Sequence, residues 1–319
     1  MKKPILISLI VGASLLVVGG TLLTVGLVTN VKSLETITNT HQLEESFSNF
    51  NIDVTTSEVE FKVSPDGTKK VTTDDAEKYY HKVSIKDDIL TIEQVDDRAW
   101  YEKMFGFNGF HFYKIKTAVY LPAGLYNELK IDATTGSLII PNDFSFNKVN
   151  VNMTSGRVSL KTDINDYGYV EATTGEISLT DASVNNLTIS ATTGNILLTD
   201  VSANGNINVS LTTGNIKLTN VTAKNVDLSS TTGDVTLKNT IISERLKIET
   251  TTGDVNLTDS DAGTIYIETT TGDVKGTLLT SKIFSVYTTT GSVKVPNTTT
   301  GGLCEIRTTT GSVNIQINS

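Results

Sequence analysis

Leu246-Lys247-Ile248-Glu249-Thr250-Thr251-Thr252-Gly253-Asp254-Val255-Asn256-Leu257 carries the pattern that decides the fold. Apolar side chains stand seven and five residues before Gly253, and again two and four residues after it. Alternation with period two is the pattern of a half-buried strand, and it appears on both sides of the glycine. A helix would need apolar residues three and four apart, which this stretch does not offer. Between the strands, Thr-Thr-Gly predicts a sharp corner, because a positive φ costs glycine little.

The same phrase recurs to the C-terminus. Its glycines are Gly136, Gly156, Gly175, Gly194, Gly214, Gly233, Gly253, Gly272, Gly291 and Gly311, always 19 or 20 residues apart, and Ser155 is the one break in the threonine pairs. The apolar columns repeat with them: Leu129 and Ile131, Leu187 and Ile189, Ile207 and Val209, Val226 and Leu228, Ile265 and Ile267, Phe284 and Val286, Cys304 and Ile306. A fixed period of this size marks a repeat architecture. A strand–turn–strand unit cannot bury its apolar side alone, so successive units must stack, about 4.8 Å apart, as parallel sheets. The sequence therefore predicts an all-β fold: a parallel β-solenoid of about ten TTG coils over residues 127–319, with the columns as a dry interior and the TTG corners as an outer ridge. Stacked in chain order, the coil ending at Ile315 and Ile317 would present an open parallel edge, to be blunted by its own residues or covered by another molecule.

Upstream, residues 5–28 carry no charge and are mostly apolar, long enough to span a bilayer as one helix. Lys2 and Lys3 precede the run, so residues 1–4 are expected in the cytoplasm and the body outside it. A cleaved signal peptide is the alternative, and it too exports the body. Residues 29–46 are a polar juxtamembrane linker. Residues 47–126 form an irregular β lead-in. There Phe50, Ile52 and Val54, then Thr55-Thr56-Ser57, then Val59 and Phe61 repeat the coil pattern with serine for glycine. Ser64-Pro65-Asp66-Gly67 is a turn, and Val83 and Ile85, Asp87-Asp88, Leu90 and Ile92 predict a strand pair.

Composition removes several function classes. A net charge of −9 offers no basic footprint, so no nucleic-acid partner is expected. The single cysteine, Cys304, excludes an intrachain disulfide and falls in an apolar column, as an inert thiol would. His41, His81 and His111 are far apart in sequence, so no metal site is expected from them. No nucleophile elbow, zinc-protease or phosphate-loop motif is present, and Arg157, Arg245 and Arg307 occupy different coil positions. The chain is read as a non-enzyme, with no catalytic residues and no cofactor.

Two groups of residues are candidates for contact. Trp100, Tyr101, Phe105, Phe107 and Phe110 crowd one short segment of a chain otherwise rich in Thr, Asn and Val. They suit a membrane or partner contact, or a hairpin capping the first coil. Asp234, Asp254 and Asp273 follow successive corner glycines and would stack as a carboxylate ladder. Solvated turn residues tolerate that spacing, at about 1 kcal/mol of repulsion per pair in water. A weak Ca²⁺ ladder is the sharper alternative, against which the absence of a glycine-rich Ca²⁺-binding nonapeptide counts.

Together the single N-terminal span, the lead-in, Leu121-Pro122-Ala123-Gly124 and the repeated TTG units resemble a bacterial family, the "putative adhesin" type of β-strand-repeat domain of unknown function, over residues 45–319. The resemblance implies an extracytoplasmic solenoid on the envelope of Gram-positive bacteria, and it brings no catalytic residues. The expected function is a single-pass, membrane-anchored surface protein that binds a wall polymer, a glycan or another protein. The alternative is an envelope regulator or scaffold working through a membrane protein partner.

Overall fold

A computed structural model describes residues 36–99 and 115–318. The apolar run 5–28, residues 1–4 and residues 29–35 of the linker lie outside the described residues, as do Trp100, Tyr101, Phe105, Phe107 and Phe110. All regular structure among the described residues is β, and no helix there is long and apolar enough to cross a membrane.

The chain winds into a β-solenoid of about ten turns. Equivalent columns pair in parallel: Ile207 lies beside Val226 and Val226 beside Leu246, with Val209, Leu228 and Ile248 next to them. These side chains are almost completely buried. The pairing passes through the corners so smoothly that β9 (Asp163–Ala203) counts as one strand across two coils.

Each coil has three strand segments rather than the two expected. In one coil the buried residues run Val226, Leu228 and Ser230, then Val235 and Leu237, then Thr240 and Ile242, before Leu246 starts the next. The alternation of two breaks at each corner. The first corner is Thr-Thr-Gly, whose glycines have φ between +129° and +156°. The second is a left-handed Asp or Asn with φ near +50°, at Asp181, Asp200, Asn220, Asn239 and Asp259. A register shift after Ala223, repeated after Ile242, marks the third. The third segment escaped the sequence pattern because its inward residues are often small or polar, such as Ala203, Ala223, Thr240 and Ser260.

The coils do not stack in chain order at either end. β2 (Asn49–Val63) is the coil predicted around Ser57, and Ser57 pairs with Gly136 of β7 (Gly124–Ile140). On its other side, β2 pairs in parallel with β5 (Ile89–Asp96) and then β6 (Lys116–Leu121), which share one layer. Beyond them the pairing turns antiparallel. β4 (Tyr79–Lys86) joins β5 through Asp87 and Asp88, both at positive φ, as a two-residue hairpin requires. β3 (Lys70–Asp75) joins β6, and β1 (Ile37–Gln42) joins β3 as the edge. Leu43 and Phe47 are buried at this end. Phe47 meets Phe50 edge-on at 5.5 Å, and Phe50 meets Phe61, Tyr126 and Phe146 in turn.

At the other end, β18 (Gly302–Thr310) pairs with both β14 (Val255–Thr271) and β16 (Lys282–Thr290). Likewise β19 (Val313–Ile317) pairs with both β15 (Val274–Leu278) and β17 (Val293–Lys294). The last coil in sequence is thus the second to last in space, and the coil at the tip is residues 282–294. This corrects the expected chain order and moves the open edge from Ile315 and Ile317 to β16. All coils share the same columns, so register does not dictate the order. Two contacts hold it: Lys282 reaches across the inserted layer to Asp261 at 2.5 Å, and Asn318 donates to Asp259 at 2.6 Å. Gly302 stacks beside Lys282, and a Cβ on it would stand 1.7 Å from the Gly263 carbonyl oxygen of the layer beneath.

Candidate functional site

The corner ridge is built from close backbone contacts. A Cβ on Gly175, Gly194 or Gly214 would stand 1.5–1.6 Å from the carbonyl oxygen of the glycine in the neighbouring coil. Glycine is needed here for proximity as well as for φ. Thr212 and Thr213, like Thr231 and Thr232, are exposed along the ridge.

The structure brings Asp234, Asp254 and Asp273 together as a ladder and gives their oxygens work. Asp234 accepts from the backbone N–H of Asp254 at 2.9 Å, Asp254 from that of Asp273 at 2.8 Å, and Asp273 from that of Ser312 at 2.8 Å. Asn195 and Asn215 continue the pattern by accepting from Asn215 and Asp234. Each side chain thus caps the corner of the next coil. Lys275 pairs with Asp273 at 2.7 Å, and this contact, followed by the Ser312 N–H, holds the Asp273 carboxyl below its ordinary pKa. Among the described residues no group of three or more His, Cys, Asp or Glu could hold a metal ion.

The described residues on either side of the aromatic segment meet the solenoid at this same corner. Glu93 pairs with Asp53, and Lys116 pairs with Glu58, so the chain departs where other coils carry Thr-Thr and returns with Ile115 opposite Ser57. Gln94 fills the gap: its carboxamide oxygen accepts from the N–H groups of Thr55 and Thr56, and its nitrogen donates to the Thr56 carbonyl. At the lead-in end, β1, β3 and β4 lie over the outermost parallel layer, with Leu43 and Phe47 buried there.

The sequence reading passed over the outward face of the first segment, six and four residues before each corner glycine. This face forms a continuous sheet surface on which neighbouring side chains pair. Tyr169 donates to Glu171 at 2.6 Å, Tyr266 donates to Glu268, Lys247 pairs with Glu249 at 2.8 Å, and Arg307 pairs with Glu305. The hydrogen bond to Glu171 raises the Tyr169 pKa, and the bond to Glu268 does the same for Tyr266. Register places Glu268 beside Arg307 and Arg307 beside Tyr287. Half-buried tyrosine rings with fixed carboxylates can stack against and hydrogen-bond a polyhydroxylated ligand. The signal was present in the alternating positions, but the apolar columns between them dominated the pattern.

Two buried polar groups were also missed. His81 donates through Nδ1 to Asp75 at 2.6 Å, and its Nε2 meets Thr117, which contacts Ser57 at 2.9 Å. Asn39 also donates to Asp75, and His41 reaches Thr73, so β1, β3, β4 and β6 are tied at one place. At the other end, Asp261 and Lys282 line an open cavity of about 610 Å³ with Ile242, Leu279 and Gly301. Behind them Cys304 is buried, and burial pushes its thiol up to about 12.

The model of the Toastrack DUF4097 family matches residues 47–210 and 204–319. Solved structures match as well. One described as "putative adhesin" from Bacteroides fragilis is 15% identical, with 89% of this chain and 98% of that chain covered and a TM-score of 0.39. A "putative lipid binding protein" from Parabacteroides distasonis is 14% identical, with 88% and 96% covered and a TM-score of 0.38. A "putative adhesin" from Parabacteroides merdae is 15% identical, with 88% and 96% covered and a TM-score of 0.37. No curated protein matches.

Proposed function

The chain belongs to the Toastrack DUF4097 family, and from that premise we propose that it is a non-enzymatic surface-binding protein, anchored by residues 5–28 with its solenoid outside the membrane. Its ligand is a wall polymer or other glycan. The observation that carries this reading is the outward face of the first segment, where Tyr266 and Tyr287 flank Arg307 beside Glu268 and Glu305, with Tyr169 and Glu171 farther along the same sheet surface. A repeating face suits a repeating polymer, because successive sugar units meet equivalent positions on successive coils. The test is retention of the full-length chain, in detergent, on isolated wall polymer. Substituting Tyr266→Ala with Tyr287→Ala should reduce retention severalfold while the fold is kept. Equal retention of the folded double variant would overturn the assignment of this face.

The second reading, an envelope scaffold working through a membrane protein, has its own support. The flanks of the segment bearing Trp100, Tyr101, Phe105, Phe107 and Phe110 meet the solenoid at the corner, with Glu93 beside Asp53 and Lys116 beside Glu58. Replacing Trp100, Phe105 and Phe107 by Ser should release a co-purifying membrane partner. A partner that stays bound to the folded variant would count against this role.

A further inference from the structure

The two ends of the solenoid are finished differently. At the lead-in end, the edge strand β4 exposes Lys82 and Lys86, charges that discourage a second strand from pairing. At the tip, β16 has no such guard. Its one charge, Lys282, is turned inward and neutralised by Asp261. It holds no proline or glycine, and its sequence Ile283-Phe284-Ser285-Val286-Tyr287 is apolar on both faces. Among the described residues β18 is the strand in register with β16, and it lies on the inner side. Phe284, Val286 and Val295 are only partly buried where the core ends, and Val293 is 46% exposed.

We propose that two copies of this chain join tip to tip, β16 of one adding antiparallel to β16 of the other about a two-fold axis at Ser285. The register argues for a second copy rather than an unrelated strand. Centring the axis on Ser285 sets Phe284 of each copy opposite Val286 of the other, on the inner face, so the two open cores close on each other. On the outer face it sets Ile283 opposite Tyr287, residues that are 45% and 65% exposed in the single chain. Both are pairs of an aromatic with a β-branched residue, the favourable cross-strand combination. Such an edge is complementary to itself, as a two-fold interface demands. No like charges meet within this five-residue register.

Ser285 is exposed and pairs with its own copy, so it isolates the interface from the fold. The full-length chain in detergent should sediment as a dimer. Ser285→Lys and Ser285→Glu should each raise the dimer dissociation constant by roughly tenfold or more, since like charges then stand directly opposite. The circular dichroism of both variants should match that of the parent chain. An equal mixture of the two should recover dimers, now as heterodimers. A parent chain that stays monomeric at high concentration would overturn the proposal. So would a dimer that survives Ser285→Lys, which would place the contact elsewhere, or a mixture that dimerises no better than either variant alone.

Discussion

A methyl group on Gly214 would stand 1.5 Å from the carbonyl oxygen of Gly194, at a φ of +132° that alanine rarely adopts. Neither neighbour can yield, because both are backbone in a stack fixed from above and below. Gly214→Ala should therefore cost about 2–4 kcal/mol, read as a lower urea midpoint. The opposite sign is expected three positions before a corner. Thr250 and Thr269 bury hydroxyls that lack hydrogen-bond partners among the described residues. Valine keeps their shape and removes the unsatisfied group, so Thr250→Val should be neutral or stabilising by up to about 1 kcal/mol. Cys304 gives a third residue-scale check. With its thiol pushed up by burial to about 12, it should resist alkylation at neutral pH in the folded chain and react only after denaturation.

Individual segments were legible to the degree that their inward residues are large and apolar. The first and second segments announced themselves through pairs such as Leu246 and Ile248 or Val255 and Leu257. The third, with Thr240 or Ser260 and Ala262 facing inward, carries too little hydrophobic contrast to stand out. The β4–β5 hairpin was readable because Asp87 and Asp88 tolerate the left-handed turn. The Asp75–His81 contact was not, since it depends on how the Ala76–Tyr79 turn brings the start of β4 back to the end of β3. Charge pairs set two predictions at this level. Lys282→Met leaves Asp261 buried beside an apolar side chain and should cost about 3–5 kcal/mol, while adding Asp261→Leu should recover much of that loss. At the corner, the pKa of Asp273 is lowered, first by Lys275. Its contribution is therefore complete above the ordinary carboxylate range near pH 4 and disappears as pH falls through the lowered value. Lys275→Met should move the acid-unfolding midpoint slightly upward in pH, a small shift because the pair is solvent-exposed.

A solenoid holds each coil mainly through its two neighbours, so position in the stack governs local stability more than position in the chain. Position in the stack is also what the sequence leaves open: Ile265, Cys304 and Phe284 fill the same column and would fit in any order. The structure places Cys304 between the other two, with the layer of residues 302–317 covered on both sides and that of residues 282–294 covered on one. Opening free energies should follow this arrangement. In native-state hydrogen exchange of the monomeric Ser285→Lys variant, amides of residues 303–310 should exchange more slowly than those of residues 283–290, although the former lie nearer the C-terminus. If chain order governed instead, the terminal residues would fray first and the ranking would reverse. Lys282→Met separates the cause from the description, because it removes the tie between the tip and the Asp261 layer without touching β18 directly. Protection of residues 283–290 should fall first in that variant, with protection of residues 303–310 falling only as their outer cover is lost. An equal drop in both segments would mean that the two layers open as one unit, making the inserted coil and the tip a single cooperative end.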